Sequence, residues 1–496
     1  MSRTMALLLI LATIIAPVAS GADEQDQQPT NLVLILTDNH SPWTLGCYGN
    51  QDILTPNIDR LAAEGTLFEH ALANNAVCSP TRATLLTGLM PSQHGVHRYL
   101  GARGAQIGPK AYDTLEEFDT LPSLLVDAGY VAGLSGKWHL GGNLTPQEGF
   151  SYWITKPHGG SAGFYDQEVI ENGEIRKEPR HLTDLWTDHA IGFLRQNSQQ
   201  PFFLFLSYNG PYGLGGAMRE PPRHPNYQYY ADKTLPSFPR TEPQPWNFNY
   251  GDWIGDLEVI RKYASEVTAV DDGVGAVLQT LDELGLRDNT LVVFTADQGC
   301  SGGHAGYWGM GDHTRPLTAY DWTMTIPLIF RRPGRIPAGR RVPQMVSNYD
   351  LFPTLLTELG LQDRIPDTHP LPGRDLGPLI HDRPANWEEI HFFEFENVRA
   401  VRTPQWKYIE RIHETPDELY DVVADPDEHH NLIDEAAQQE IRRQMATRMH
   451  AFFDRYADPK WDLWHGGTSK SGLITAKLFG IGNPEEEGRP NQEPSN

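Results

Sequence analysis

Short apolar, β-rich runs alternate with amphipathic helical stretches over the first two-thirds of the chain, and this alternation restricts the fold more than any other feature. Leu32–Leu36, Val131–Ser135, Phe202–Tyr208, Leu291–Thr295 and Ile326–Phe330 have the length of buried strands. Between them, Pro56–Glu64 is framed by Thr55 and Gly65, and Leu121–Ala128 by Thr120 and Gly129, residues suited to start and stop a helix. Longer helices are predicted at Asp184–Gln196 and Leu257–Leu284. The pattern predicts an α/β fold, a mostly parallel central sheet with helices on both faces. After about Asn386 it changes: Ala400–Arg402, Lys407–Ile409 and Leu419–Asp421 read as a short antiparallel sheet, and Glu435–Tyr456 as a helix. A chain of 496 residues exceeds one small core. The predicted division is a signal peptide over 1–22, an α/β domain over 23–385, a smaller C-terminal α+β subdomain over 386–481, and a mobile Pro- and Glu-rich tail over 482–496.

Asp and Glu total 64 against 40 Lys and Arg, a net charge of −24, which argues against nucleic acid as a partner. An anionic substrate would need a local basic pocket. Met1–Ala22 has the form of an export signal: Arg3, an apolar core over Met5–Ile15, Pro17, then small residues at Ala19–Ala22. No later stretch is long enough to span a bilayer, and no cysteine marks a lipid anchor, so a periplasmic or secreted protein without a membrane anchor is expected. Three cysteines make no disulfide framework; Cys47 and Cys300 are read as independent buried thiols, with a pair as the alternative.

Two carboxylate–amide pairs follow two of the apolar strands, Asp38-Asn39 and Asp297-Gln298. Ligands of open α/β sheets gather beyond the carboxyl ends of strands, and four oxygen-bearing side chains there suit Ca²⁺, with Mg²⁺ as the alternative. No His/Cys cluster at zinc spacing appears in the sequence. Lys137 and His139 flank Trp138 just beyond another strand and project to one side, where they can bind an anion and move a proton. Cys78-Ser79-Pro80-Thr81-Arg82 lies where a helix should begin, with Pro80 in its first turn and Gly88 at its end. Position 78 then faces free backbone N–H groups, and Arg82, one turn on, is placed to fork onto an anion.

Cys78-Ser79-Pro80-Thr81-Arg82 resembles the Cys-x-Pro-x-Arg signature of the type I, formylglycine-dependent sulfatases of the alkaline phosphatase-like superfamily. Leu32–Asn39, Thr55–Leu61, Gly136-Lys137-Trp138-His139-Leu140-Gly141, Ala296–Gly299 and Glu418–Asp421 with Asn431-Leu432 are similar to that family's other motifs, in the same order. The resemblance implies a sulfuric ester hydrolase whose Cys78 is oxidised to formylglycine by a formylglycine-generating enzyme or maturase. It implies a metal on Asp38, Asn39, Cys78, Asp297 and Gln298, and catalytic roles for Cys78, Arg82, Lys137 and His139. A carbohydrate sulfate is the implied substrate, and Gly210–Trp253 reads as a substrate-facing loop. Two positions depart from the pattern: Tyr212 stands where relatives often carry a leaving-group histidine, and Met310 where they carry a second lysine. His304, His313 and Arg315 are the candidates to compensate. The alternatives are a phosphodiester or phosphonate monoester hydrolase of the same superfamily and a non-catalytic binder of sulfated glycans.

Overall fold

The computed structural model describes residues 29–481 except 102 and 162; the signal peptide and tail predicted above lie outside the described residues. Ten strands form one sheet: β1 (Asn31–Asp38), β2 (Thr66–Leu72), β3 (Val131–Gly136), β4 (Tyr152–Thr155), β5 (Gln167–Glu171), β6 (Glu174–Glu178), β7 (Phe202–Pro211), β8 (Thr290–Ala296), β9 (Thr325–Arg331) and β10 (Arg340–Ser347). Their order is β10-β2-β9-β8-β1-β7-β3-β4-β5-β6. The centre, β8-β1-β7-β3-β4, is parallel throughout. The flanks are mixed, because β9 runs antiparallel to both β8 and β2, and β5 to both β4 and β6. The strand predicted at Ile326–Phe330 is β9, one of the antiparallel members; the segment between β8 and β9 carries only short helical turns and no full crossover helix.

Period-two alternation along β1 sets up the two helical layers. Val33 and Ile35 face a core shared with α1 (Pro56–Ala63) and with the Leu182–Gln196 and Leu257–Glu283 helices. Leu32, Leu34 and Leu36 face the other way, against α2 (Cys78–Thr87) and the Leu121–Asp127 and Leu351–Glu358 helices. The strand is buried from end to end, as a central strand covered on both faces must be.

A second, four-stranded antiparallel sheet follows: β11 (His391–Phe395), β12 (Val398–Arg402), β13 (Trp406–Arg411) and β14 (Glu418–Asp421). The Gln439–Tyr456 helix covers one face through Met445, Met449, Phe452 and Phe453, which pack with Val401, Tyr408 and Leu419. Phe393, Phe395, Ala400 and Ile409 point into the main core instead. Glu394 N–H donates to Asn74 O at 2.9 Å, so this sheet also braces the loop that leads into α2.

Thr120 caps its helix as predicted, accepting from Ser123 N–H. Thr55 does not cap α1. The Asp271 carboxylate, from the long Leu257–Glu283 helix, takes that place, accepting from Ile58 N–H at 2.7 Å, Asn57 N–H at 3.0 Å and Asn57 Nδ2 at 2.8 Å. Asp271 is fully buried. Asp271→Ala would leave those donors unpaired and is expected to cost about 2–3 kcal/mol, read as a shift in the urea midpoint; Asp271→Asn should recover part of it.

Candidate active site

Strand order alone brings the two carboxylate–amide pairs together. β1 and β8 are parallel neighbours with Thr37 opposite Ala296, so Asp38-Asn39 and Asp297-Gln298 leave the sheet side by side. Asn39 turns with φ 57°, and its N–H points to Asp297 Oδ1 at 3.3 Å. The next parallel neighbours, β7 and β3, deliver Tyr212 and Lys137: Tyr212 N–H donates to Asp38 O and Lys137 N–H to Ser207 O. Gly136 makes this approach possible. It holds φ 122°, and a Cβ there would stand 1.8 Å from Ser207 O.

Cys78 opens α2 as predicted, and the helix closes at Gly88 with φ 73°. Its thiol is 2% exposed, and Sγ lies 3.5 Å from Asp38 Oδ1 and 3.3 Å from Gln298 Nε2. Burial, followed by the Asp38 charge, pushes the thiol well above its ordinary range. As a thiol this residue is a poor nucleophile.

Asp38, Arg82, Lys137 and Asp297 form a buried ion cluster, each at most 1% exposed. Lys137 Nζ pairs directly with Asp38 Oδ2. Burial acts most strongly, to lower the Lys137 ammonium, but its negative neighbours, Asp38 first, together outweigh it and hold the group charged. Arg82 does not fork onto a free anion. Its Nε and Nη2 both close on Asp297 Oδ2, at 3.0 and 2.8 Å, and Nη1 donates to Lys137 O and Ser207 Oγ. Arg82 is thus a positioning residue for Asp297. Burial and then the Asp38 charge raise the Asp297 carboxyl to about 6, against the pull of Arg82.

The oxygen donors fit a hard divalent cation. One ligand atom from each of Asp38, Cys78 and Asp297 lies within 4.8 Å of the others. Gln298 turns Nε2 toward Asp38, Asn39 and Cys78, while its Oε1 is buried with no partner. Rotating that amide puts its oxygen where Asp38, Asn39 and Asp297 already gather.

Beyond Cys78 the site opens into a pocket lined by Arg98, Arg103 and Arg315, by His139, His158 and His313, and by one carboxylate, Asp312. This is the basic pocket that an acidic chain needs for an anionic substrate. His139, held at φ 65°, packs so closely that a Cβ on Gly159 would touch its ring. Its Nε2 is 3.0 Å from Leu100 O, and its Nδ1 is buried without a partner among the described residues. Burial, reinforced by Lys137, holds the imidazole well below its usual range and therefore neutral. A carbonyl only accepts, so the proton sits on Nε2 and Nδ1 keeps its lone pair.

Of the compensating candidates, His313 and Arg315 line the pocket. His313 Nε2 lies 3.1 Å from Asp312 Oδ1. Arg315 lies over the Phe248 ring. His304 is a correction: it stacks on Trp322 at 3.8 Å, edge-on to Trp43, and does not reach the pocket. Tyr212 and Met310 do line it; burial pushes the Tyr212 phenol well above its ordinary range, and Met310 Sδ rests on the Gln298 amide. Cys47 and Cys300 are both free thiols, and Cys47 is only half-buried, held apart from Cys300 in the turn beside Asp59. Sequence reasoning missed Arg98, Arg103 and His158, which carry no motif, and Lys156. The last is a fully buried lysine at the end of β4 whose Nζ donates to Gly160 O; burial, then Lys137, lowers it to about 7.

Residues 30–361 match the family profile described as Sulfatase, and residues 308–455 the profile described as N-sulphoglucosamine sulphohydrolase, C-terminal. The chain belongs to the sulfatase family. It is 27% identical to an N-acetylglucosamine-6-O-sulfatase of Bacteroides thetaiotaomicron, covering 92% of each chain. It is 31% identical to the rat (Rattus norvegicus) N-acetylgalactosamine-6-sulfatase, over 82% of this chain and 75% of that one. A solved Bacteroides thetaiotaomicron protein of glycosaminoglycan metabolism superposes with a TM-score of 0.72 at 23% identity, over 88% of this sulfatase and 98% of that chain. The chain is thus a sulfuric ester hydrolase of alkaline phosphatase-like fold, and among its described residues no helix is long and apolar enough to cross a membrane.

Removing Arg82 leaves Asp297 buried without its main partner. Arg82→Ala is expected to lower the stability of the metal-free protein by about 3–5 kcal/mol in urea unfolding. A loss below about 1 kcal/mol would mean that the pair is screened like a surface one.

Proposed function

We propose that this sulfatase is exported and hydrolyses sulfate esters of carbohydrates, using formylglycine made from Cys78 and a divalent metal, Ca²⁺ before Mg²⁺. One observation supports the reading above the others. A cysteine that is useless as a thiol nucleophile stands at a buried helix start, between a carboxylate cluster and an arginine-lined pocket. The named activities of the curated relatives on N-acetylhexosamine 6-sulfates support a carbohydrate ester as substrate.

Asp38, Asn39, Asp297 and Gln298, with position 78, would hold the metal, which supplies Lewis acidity toward a sulfate oxygen and the nucleophile. Formylglycine supplies, in its hydrated form, one hydroxyl to attack sulfur and a second to expel sulfate and restore the aldehyde. The remaining roles fall to this chain's own side chains. Lys137, kept charged by Asp38, sets a fixed positive charge beside position 78. His139 Nδ1, neutral and unpartnered, accepts the proton when sulfate is expelled. His313, beside Asp312 and in the pocket, donates to the departing alkoxide in place of the leaving-group histidine that Tyr212 displaces. The three arginines hold further anionic groups of the glycan.

Cys78→Ser is expected to release no more than one equivalent of alcohol per enzyme, since a serine offers a single oxygen; sustained turnover in that variant, measured by released sulfate, would sink the mechanism. A chelator of hard cations should abolish turnover, and Ca²⁺ or Mg²⁺ should restore it. His313→Ala is expected to slow a sugar sulfate by roughly 10²-fold or more, the usual worth of a general acid, while an activated aryl sulfate, whose leaving group needs no proton, changes little. Equal losses on both substrates would assign His313 to sulfate binding instead.

A further inference from the structure

On the helical layer formed by Leu182–Gln196 and Leu257–Glu283, two histidines and a carboxylate converge, and none of them lines the Cys78 pocket. One ligand atom from each of His181, Asp184 and His224 lies within 4.8 Å of the other two. His181 precedes the first residue of the Leu182–Gln196 helix and Asp184 lies in its first turn, so the two share a face. His224 arrives from the long segment after β7, and its ring centroid is 4.5 Å from that of His181.

The orientation of the His181 ring is fixed by its surroundings. The residue is 2% exposed, and its Nε2 lies 3.0 Å from Glu266 Oε2, on the long helix. A carboxylate accepts, so Nε2 is the donor, and in the neutral ring Nδ1 keeps a lone pair. That Nδ1 is buried and has no hydrogen-bond partner among the described residues. The Asn226 N–H reaches His224 Nδ1 only at 3.3 Å, so that ring is weakly held and either nitrogen can turn inward. A carboxylate holding the far nitrogen of an imidazole whose near nitrogen is bare is how proteins orient a histidine toward a metal. Two imidazoles and one carboxylate select a d-block divalent cation over Ca²⁺ or Mg²⁺.

The geometry points to a second metal site, taking Zn²⁺ or a similar d-block cation through His181 Nδ1, Asp184 and His224, with Glu266 as the positioning residue. The ion would staple the segment after β7 to the helical layer. Leu214, Gly215, Phe248 and Tyr250 of that same segment line the catalytic pocket, so the staple would steady one wall of it at a distance. The sequence hides the set because only His181 and Asp184 have ligand spacing, and His224 joins them through the fold.

The full chain is dialysed against Zn²⁺ with Ca²⁺ in excess, and bound zinc is counted by mass spectrometry; Co²⁺ loading is followed by visible absorption. Wild type should hold one zinc more than His224→Ala and show Co²⁺ bands that the variant lacks. Zn²⁺ should raise the Tm of wild type only. Glu266→Gln should weaken zinc binding about 10- to 100-fold. Asp184→Asn, at an exposed position, repeats the zinc count should His224→Ala fail to fold. Equal zinc content and identical Co²⁺ spectra in wild type and these ligand variants would overturn the proposal.

Discussion

Two carboxylates and two cations share a space from which water is excluded, and the rest of the molecule is arranged to keep them there. Asp38 and Asp297 come from adjacent parallel strands, Lys137 from the end of β3, and Arg82 from the second turn of α2. Their charges cancel. Removing any one leaves an uncompensated buried charge. A divalent cation, were one bound, would leave this neutral set with a net positive charge. Arg82 and Lys137 therefore balance the two carboxylates.

The pocket outside the cluster works on a different scale. The whole chain is strongly acidic, yet three arginines and three histidines meet a single aspartate around the opening. Long-range attraction cannot bring an anion here; recognition must come from close, desolvated contacts within the pocket.

Much of this was legible in the sequence, because buried strands must be apolar along their whole length. The five predicted strands all form, lengthened by a residue or a few at one or both ends, and the carboxylate–amide pairs sit just beyond two of them. What escaped detection depends on pairing. β5 and β6, Gln167–Glu171 and Glu174–Glu178, are half-exposed flanking strands whose charged residues mask any apolar run. Asp271 caps a helix from across the fold, a bond between residues far apart in sequence. Arg82 looked free to bind an anion because nothing in a sequence shows that Asp297 has already claimed its fork. His304 looked equivalent to His313; only the aromatic wall of Trp43 and Trp322 separates them.

The brace between the second sheet and the loop before α2 has a consequence in time. Glu394 holds Asn74 by its backbone, and Asn75 Oδ1 in turn accepts from Val77 N–H, one residue before Cys78. During synthesis Cys78 is made when some four hundred residues, β11 among them, have yet to be added. Until they arrive, the loop before Cys78 lacks the contact that fixes it. Once they dock, the thiol is 2% exposed. Position 78 is thus held in place by a strand more than three hundred positions away in sequence, and its loop is complete only when both sheets are in place.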